Sequence, residues 1–127
     1  MNYRFSDHLD LAKLQEFYDG DPRLAVGVFD AFVMETVTAL PELGNLYTSG
    51  DLAEFRRLVH KIKPGFLYVG LTSLYEKLSE LEVRCGEVKQ TSELSAHYAA
   101  VTTRLLVEVP WVENELGKLK ELEAMAS

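Results

Sequence analysis

The sequence predicts an all-α protein, an antiparallel four-helix bundle with a short extra N-terminal helix. Three observations lead there. Strand signals are nearly absent, since no two alternating apolar runs are joined by an Asn-Gly or Asp-Gly turn. Leucine, valine and phenylalanine recur at spacings of three and four along almost the whole chain, the period of an amphipathic helix. Short Gly-, Asp- and Pro-bearing stretches separate the periodic segments, and short connections make neighbouring helices antiparallel. The 127 residues suffice for one core and are too few for two, so residues 1–127 read as a single helical domain.

Each element has its own signal. Ser6 or Asp7 is positioned to cap a first helix carrying Leu9, Leu11, Leu14 and Phe17, which Asp19-Gly20 ends. Asp21-Pro22 is a cap followed by proline at the first helical position. The helix it opens runs through Leu24, Val28, Phe29, Phe32, Val33, Thr36, Val37 and Leu40; Pro41 is expected to kink or restart it before about Tyr47. Ser49-Gly50-Asp51 is a turn and cap, and a third helix follows to about Val69, where Gly70 breaks it. Leu71, Leu74, Leu78 and Leu81 mark a fourth helix ended by Gly86. Thr91 or Ser92 is the expected cap of the last stretch, through Leu94, Tyr98, Val101, Leu105 and Leu106. Pro110 is expected to interrupt it before Trp111 to Met125 resumes as helix.

Composition narrows the function classes. Hydrophobic residues make up 47% and charged residues 26%, the balance of an ordinary globular protein. The formal net charge of −7 argues against nucleic acid as a partner, because such binders present basic surfaces. No run of about 18 consecutive apolar residues occurs and Met1 to Asp7 carries no secretory core, so a membrane span and export are not expected. One cysteine, Cys85, excludes an internal disulfide and fits a reducing, cytoplasmic setting. Gly-rich phosphate loops and plausible metal-ligand sets are absent from the sequence. Glu54 and His60 have the wrong spacing for a bundle metal site, and Asp7-His8 stands alone.

His60 is the candidate reactive residue. At about 100° per residue, Ala53, Arg56, Arg57, His60, Lys63, Pro64 and Leu67 share one face of the third helix. Leu52, Phe55, Leu58, Val59, Ile62, Phe66 and Val69 share the opposite face, which is wide enough to be buried. The imidazole therefore points outward, and with Arg56, Arg57, Lys61 and Lys63 it forms a basic patch on an acidic chain. Ala53, Pro64 and Leu67 make a low apolar rim suited to docking another protein. His8 and His97 have no comparable setting, and Glu76, Glu80 and Glu82 with Lys77 and Arg84 read as surface charge pairs.

The run His60-Lys61-Ile62-Lys63-Pro64-Gly65, with Gly70-Leu71 beyond it, resembles the signature of histidine-containing phosphotransfer (HPt) domains. Residues 10 to 85 follow that family's order: Asp10 to Leu14 with Gly20-Asp21 for its N-terminal helix and turn, Phe29 to Leu46 for its second helix, and Gly50-Asp51-Leu52 for the turn before the histidine. Pro64 departs from the glycine the family usually has after the lysine, and Phe66 and Tyr68 stand where small residues are usual. The resemblance implies that His60 accepts a phosphoryl group and Lys63 meets its oxygens. It implies a receiver domain of a hybrid sensor kinase as donor, a response regulator as acceptor, and Mg²⁺ held by the receiver and not by this chain. Chemistry agrees, because a neutral imidazole has a lone pair available near pH 7 and a phosphoramidate passes its phosphoryl group on readily. No kinase or ATP site of its own is expected. The alternative is a bundle that docks receiver domains or partner helices without carrying phosphate, which would leave a surface imidazole without purpose.

Overall fold

Three aspartates set the starts of the first three helices in the computed structural model, which describes residues 3–126. Asp10 accepts from the Lys13 amide at 3.2 Å and opens α1, Leu11–Tyr18. Asp21 accepts from the Arg23 amide at 2.9 Å and opens α2, Pro22–Ser49. Asp51 accepts from the Glu54 amide at 3.2 Å and opens α3, Leu52–Tyr68. Two further helices follow, α4 over Thr72–Cys85 and α5 over Ser95–Ala126, with a 3₁₀ turn at Thr91–Leu94 between them. Helix α2 packs on α3, α3 on α4, α4 on α5 and α5 back on α2, closing a four-helix bundle; α1 lies across α2 and α3.

Four local expectations are corrected. The first helix begins at Leu11, after Asp10, because Ser6 is otherwise engaged: its backbone N–H donates to Glu115 at 3.0 Å and its Oγ accepts from the His8 amide. Pro41 and Pro110 neither end nor restart their helices. A helical proline frees the carbonyl four residues earlier. Those residues, Val37 and Leu106, are exposed, as are both prolines, so water can take the freed acceptors. Lastly, Gln90, not Thr91 or Ser92, stands at the head of the 3₁₀ turn, while Glu93 receives the Lys89 and Gln90 amides at 2.9 Å. Buried Thr91 instead donates its hydroxyl to the Tyr47 carbonyl.

Composition also needs one amendment. Helix α2 contains an 18-residue window with mean hydropathy 1.5, long and apolar enough by those measures alone to cross a membrane. Here it forms a wall of the bundle, with Ala25, Val26, Phe29, Phe32, Ala39 and Leu43 buried.

The α3–α4 connection is a three-residue turn, Val69 to Leu71. Gly70 adopts φ +80°, and its neighbours close a Schellman motif: the Leu71 amide donates to the Phe66 carbonyl at 2.9 Å and the Gly70 amide to the Leu67 carbonyl at 3.1 Å. The N-terminal segment then clamps this turn. Asp10 donates its amide to the Gly70 carbonyl at 2.9 Å and accepts from the Thr72 hydroxyl at 2.6 Å, which holds its carboxyl below the usual range. The Tyr18 hydroxyl donates to the Tyr68 carbonyl at 2.6 Å.

A side chain at position 70 would therefore meet two obstacles, left-handed backbone and three atoms of Leu9, Asp10 and Leu14 at 3.1 Å. Gly70→Ala should destabilise the protein by about 2 kcal/mol or more. Gly117 sits in exposed helix with open space around it, so Gly117→Ala should stabilise by about 0.5–1 kcal/mol. Thermal melts of the two variants should move in opposite directions.

Candidate functional site

Helix α3 buries Phe55, Leu58, Val59, Ile62 and Phe66 among the core residues of its neighbours. Phe66 meets Phe32 of α2 edge to face at 4.9 Å. That burial fixes the rotation of α3 and leaves Ala53, Arg56, Arg57, His60, Lys61 and Pro64 exposed, with Leu67 and Lys63 half-buried. The imidazole of His60 is 69% exposed, at the middle of this outer face.

Glu82 of α4 organises the polar centre. Its Oε2 lies 2.8 Å from His60 Nδ1 and its Oε1 lies 2.9 Å from Lys63 Nζ. Partial burial disfavours its charge, but the hydrogen bonds and charges of Lys63 and His60 outweigh that and hold its pKa below the usual carboxylate value. Glu82 is therefore an anion at neutral pH and only accepts hydrogen bonds. The proton between it and the ring belongs to His60 Nδ1, so in the neutral form of the ring Nε2 is the nitrogen with the free lone pair. Glu82 is thus not part of a surface pair with Lys77 or Arg84; Arg84 pairs with Glu87 at 3.3 Å.

Lys63 is drawn down from the outer face. Its side chain is only 18% exposed, and its Nζ lies 5.6 Å from the centroid of the Tyr75 ring on α4, in cation–π range. The basic patch is correspondingly less basic than the residue types suggest. Arg57 is paired with Glu54 at 2.7 Å. The Arg56 guanidinium lies over the end of α4, where a Cβ on Gly86 would stand 3.0 Å from it, so this cation faces the carbonyl end of that helix. Lys61 is exposed.

Other candidates fall elsewhere. His8 stacks on Trp111 with ring centroids 4.7 Å apart, which accounts for it structurally, and His97 is half-buried on α5. Tyr68 is 45% exposed at the end of α3 and packs edge-on to Phe17 at 5.2 Å. Cys85 is buried at the last position of α4, where burial pushes its thiol pKa up. A cavity of about 720 Å³ lies at the junction of the α1–α2 turn with the end of α5, lined by Tyr3, Pro22, Leu119 and Met125. None of the His60 face borders it. Among the described residues no cluster of three or more His, Cys, Asp or Glu could hold a metal ion.

Glu82 and Tyr75 were invisible to residue-by-residue reading of α4. A usable signal existed all the same. In an antiparallel hairpin, residues at similar distances either side of the turn stand opposite each other, and counting out from Gly70 places Glu82 within one helical turn of the level of His60 and Tyr75 within one turn of that of Lys63.

Comparison with known proteins accords with this geometry. The family model for the Hpt domain matches residues 27–124, well over half of the chain. No curated protein and no solved structure gives a match. With a four-helix bundle and a family match of that extent, the chain belongs to the Hpt domain family, whose members are helical phosphotransfer modules of His-Asp relays that engage receiver domains and are not kinases.

Proposed function

We propose that this protein is a cytoplasmic phosphocarrier in which His60 takes a phosphoryl group from the receiver domain of a hybrid sensor kinase and passes it to a response regulator. Residues 1–127 act as one phosphotransfer domain in this reading. The observation that carries it is the setting of His60, exposed at the centre of the outer face of α3 with Nδ1 tied to an anionic Glu82.

The step balances without outside reagents. The Nε2 lone pair attacks the phosphorus of the donor's aspartyl phosphate, the bond from phosphorus to the aspartyl oxygen breaks, and the electron pair leaves with the donor carboxylate. The product is a phosphoramidate on Nε2. The Nδ1 proton stays in place, and the positive charge that develops on the ring is met by Glu82. Lys63, one turn along α3, supplies the cation for the equatorial oxygens, where positioning and electrostatics do most of the catalysis. ATP plays no part on this chain, and Mg²⁺ would be held by the receiver. Ala53, Pro64 and Leu67 keep the surface beside the ring low, with Arg56, Arg57 and Lys61 at its rim. Gly70 ends the helix beyond them.

The test is incubation with a phosphorylated receiver domain and Mg²⁺, followed by assay for acid-labile, alkali-stable phosphate. Uptake is expected, and His60→Gln should abolish it while leaving the melting temperature within a few degrees, since the side chain packs against little. Uptake at the wild-type level in His60→Gln would refute the assignment.

Surface and core positions on α3 should separate cleanly. Ala53→Trp places bulk two turns before the imidazole on the same outer face of α3 and should block transfer with the fold intact. Phe55→Ala opens a cavity in the core and should cost about 3–5 kcal/mol. Circular dichroism melts read beside transfer rates distinguish the two, and the reverse pattern would mean that α3 is rotated.

Glu82 also makes a pH prediction. Its folded-state pKa lies below the unfolded value of about 4.5, so its pairing stabilises the fold above that pH and the contribution is lost as pH falls through the folded pKa. Glu82→Gln should therefore lower the melting temperature at pH 7, and the gap between variant and wild type should close on acidification below about 4.5. A gap independent of pH would assign the loss to packing.

A further inference from the structure

We propose that Tyr75 is a positioning residue for phosphoryl transfer, its ring face holding the Lys63 ammonium beside His60; this rests on the roles proposed above for His60 and Lys63. A lysine on the outer face of a helix normally extends into water, and fixing it costs side-chain entropy. Lys63 does not extend. It is 18% exposed, with Glu82 Oε1 at 2.9 Å and the Tyr75 centroid at 5.6 Å from Nζ. Both anchors come from α4, where positions 75 and 82 lie two helical turns apart on one stripe.

The two anchors do different physical work. The Glu82 carboxylate attracts the ammonium by cancelling its charge, and it is shared with His60. The aromatic face attracts a cation through its quadrupole and brings no counter-charge. Lys63 held by Tyr75 keeps its full positive charge to offer phosphoryl oxygens, and stays local when Glu82 releases it. The hydroxyl is not what Tyr75 contributes: among the described residues it has no hydrogen-bond partner. The ring is itself held, half-buried against the core on a helix where the Ser79 hydroxyl donates to the Tyr75 carbonyl at 3.0 Å.

The experiment compares Tyr75→Phe and Tyr75→Leu, each with Lys63 present and with Lys63→Ala, measuring transfer rate within the receiver complex and receiver affinity separately. Tyr75→Leu should slow bound-state transfer roughly three- to tenfold and leave affinity unchanged, and Tyr75→Phe should stay within about twofold of wild type. In the Lys63→Ala background Tyr75→Leu should have no further effect. An equal loss in that background, a loss confined to affinity, or a Phe variant as slow as the Leu variant would overturn the proposal. Should the Leu variant fail to fold, Tyr75→Met removes the ring at similar volume. A second readout needs no phosphate: the Lys63 Hε protons should show an upfield ring-current shift that Tyr75→Leu removes. Absence of that shift defeats this proposal alone, whereas absence of phosphate uptake by wild-type protein defeats the functional reading and this proposal with it.

Discussion

The register of the α3–α4 hairpin governs everything the site does, and that register is set at Gly70. A left-handed residue there lets the last carbonyls of α3 be satisfied within the turn and reverses the chain in three residues, with Val69, Gly70 and Leu71 all buried. Both helices then rise at about 1.5 Å per residue, so the partners across the hairpin follow from distance along the chain. The clamp of Asp10 and Tyr18 onto this turn explains why a short N-terminal helix accompanies the bundle: it closes the end of the hairpin on which the pairing of Glu82 with His60 and Lys63 depends. The family match begins at residue 27, so this clamp lies outside the matched segment.

Much of the positive charge at the resting site is compensated, which has consequences for how it would work. Glu82 and Lys63 cancel, Arg57 is taken by Glu54, and Arg56 faces the end of α4. An arriving phosphoryl group brings up to about two negative charges. In the proposed relay those charges would compete with Glu82 for Lys63, while the ring, newly positive, would strengthen its own hold on Glu82. One carboxylate would thus exchange partners within the site. The partly buried position of Glu82 and Lys63 makes their contact stronger than a solvated surface pair would be, whereas the largely exposed His60 adds little to the stability of the fold.

Most of the fold was legible because its determinants are local. Apolar periodicity, the Asp21-Pro22 and Gly50-Asp51 boundaries and the Gly70 break each act over a few residues, as does the exposure of His60. The parts that were not legible depend on distant partners. Ser6 would be a reasonable cap, but its amide is bound by Glu115, a fully buried carboxylate on α5 that also accepts from Tyr3. That contact spans the length of the chain. Glu82 reads within α4 as one charge among several, because patterns at three and four residues reveal neighbours on the same helix and never the facing one. Prolines 41 and 110 misled for a related reason: their cost depends on whether the freed carbonyl reaches water, which only the packed bundle decides.

Pro64 brings these threads together. The family pattern usually places glycine directly after the lysine, and a small residue there suggests a need for space. In this chain the need for space falls one position later and points inward, since a Cβ on Gly65 would stand 3.3 Å from the Phe32 ring. Position 64 is exposed, so a proline ring is accommodated there. Its one backbone cost is the carbonyl of His60, which loses a helical donor and lies on the exposed side. The same rule that lets Pro41 and Pro110 sit inside intact helices thus accommodates Pro64 beside the imidazole. Gly65 provides the close approach of α3 to α2 that keeps Phe55, Ile62 and Phe66 buried and His60 turned outward.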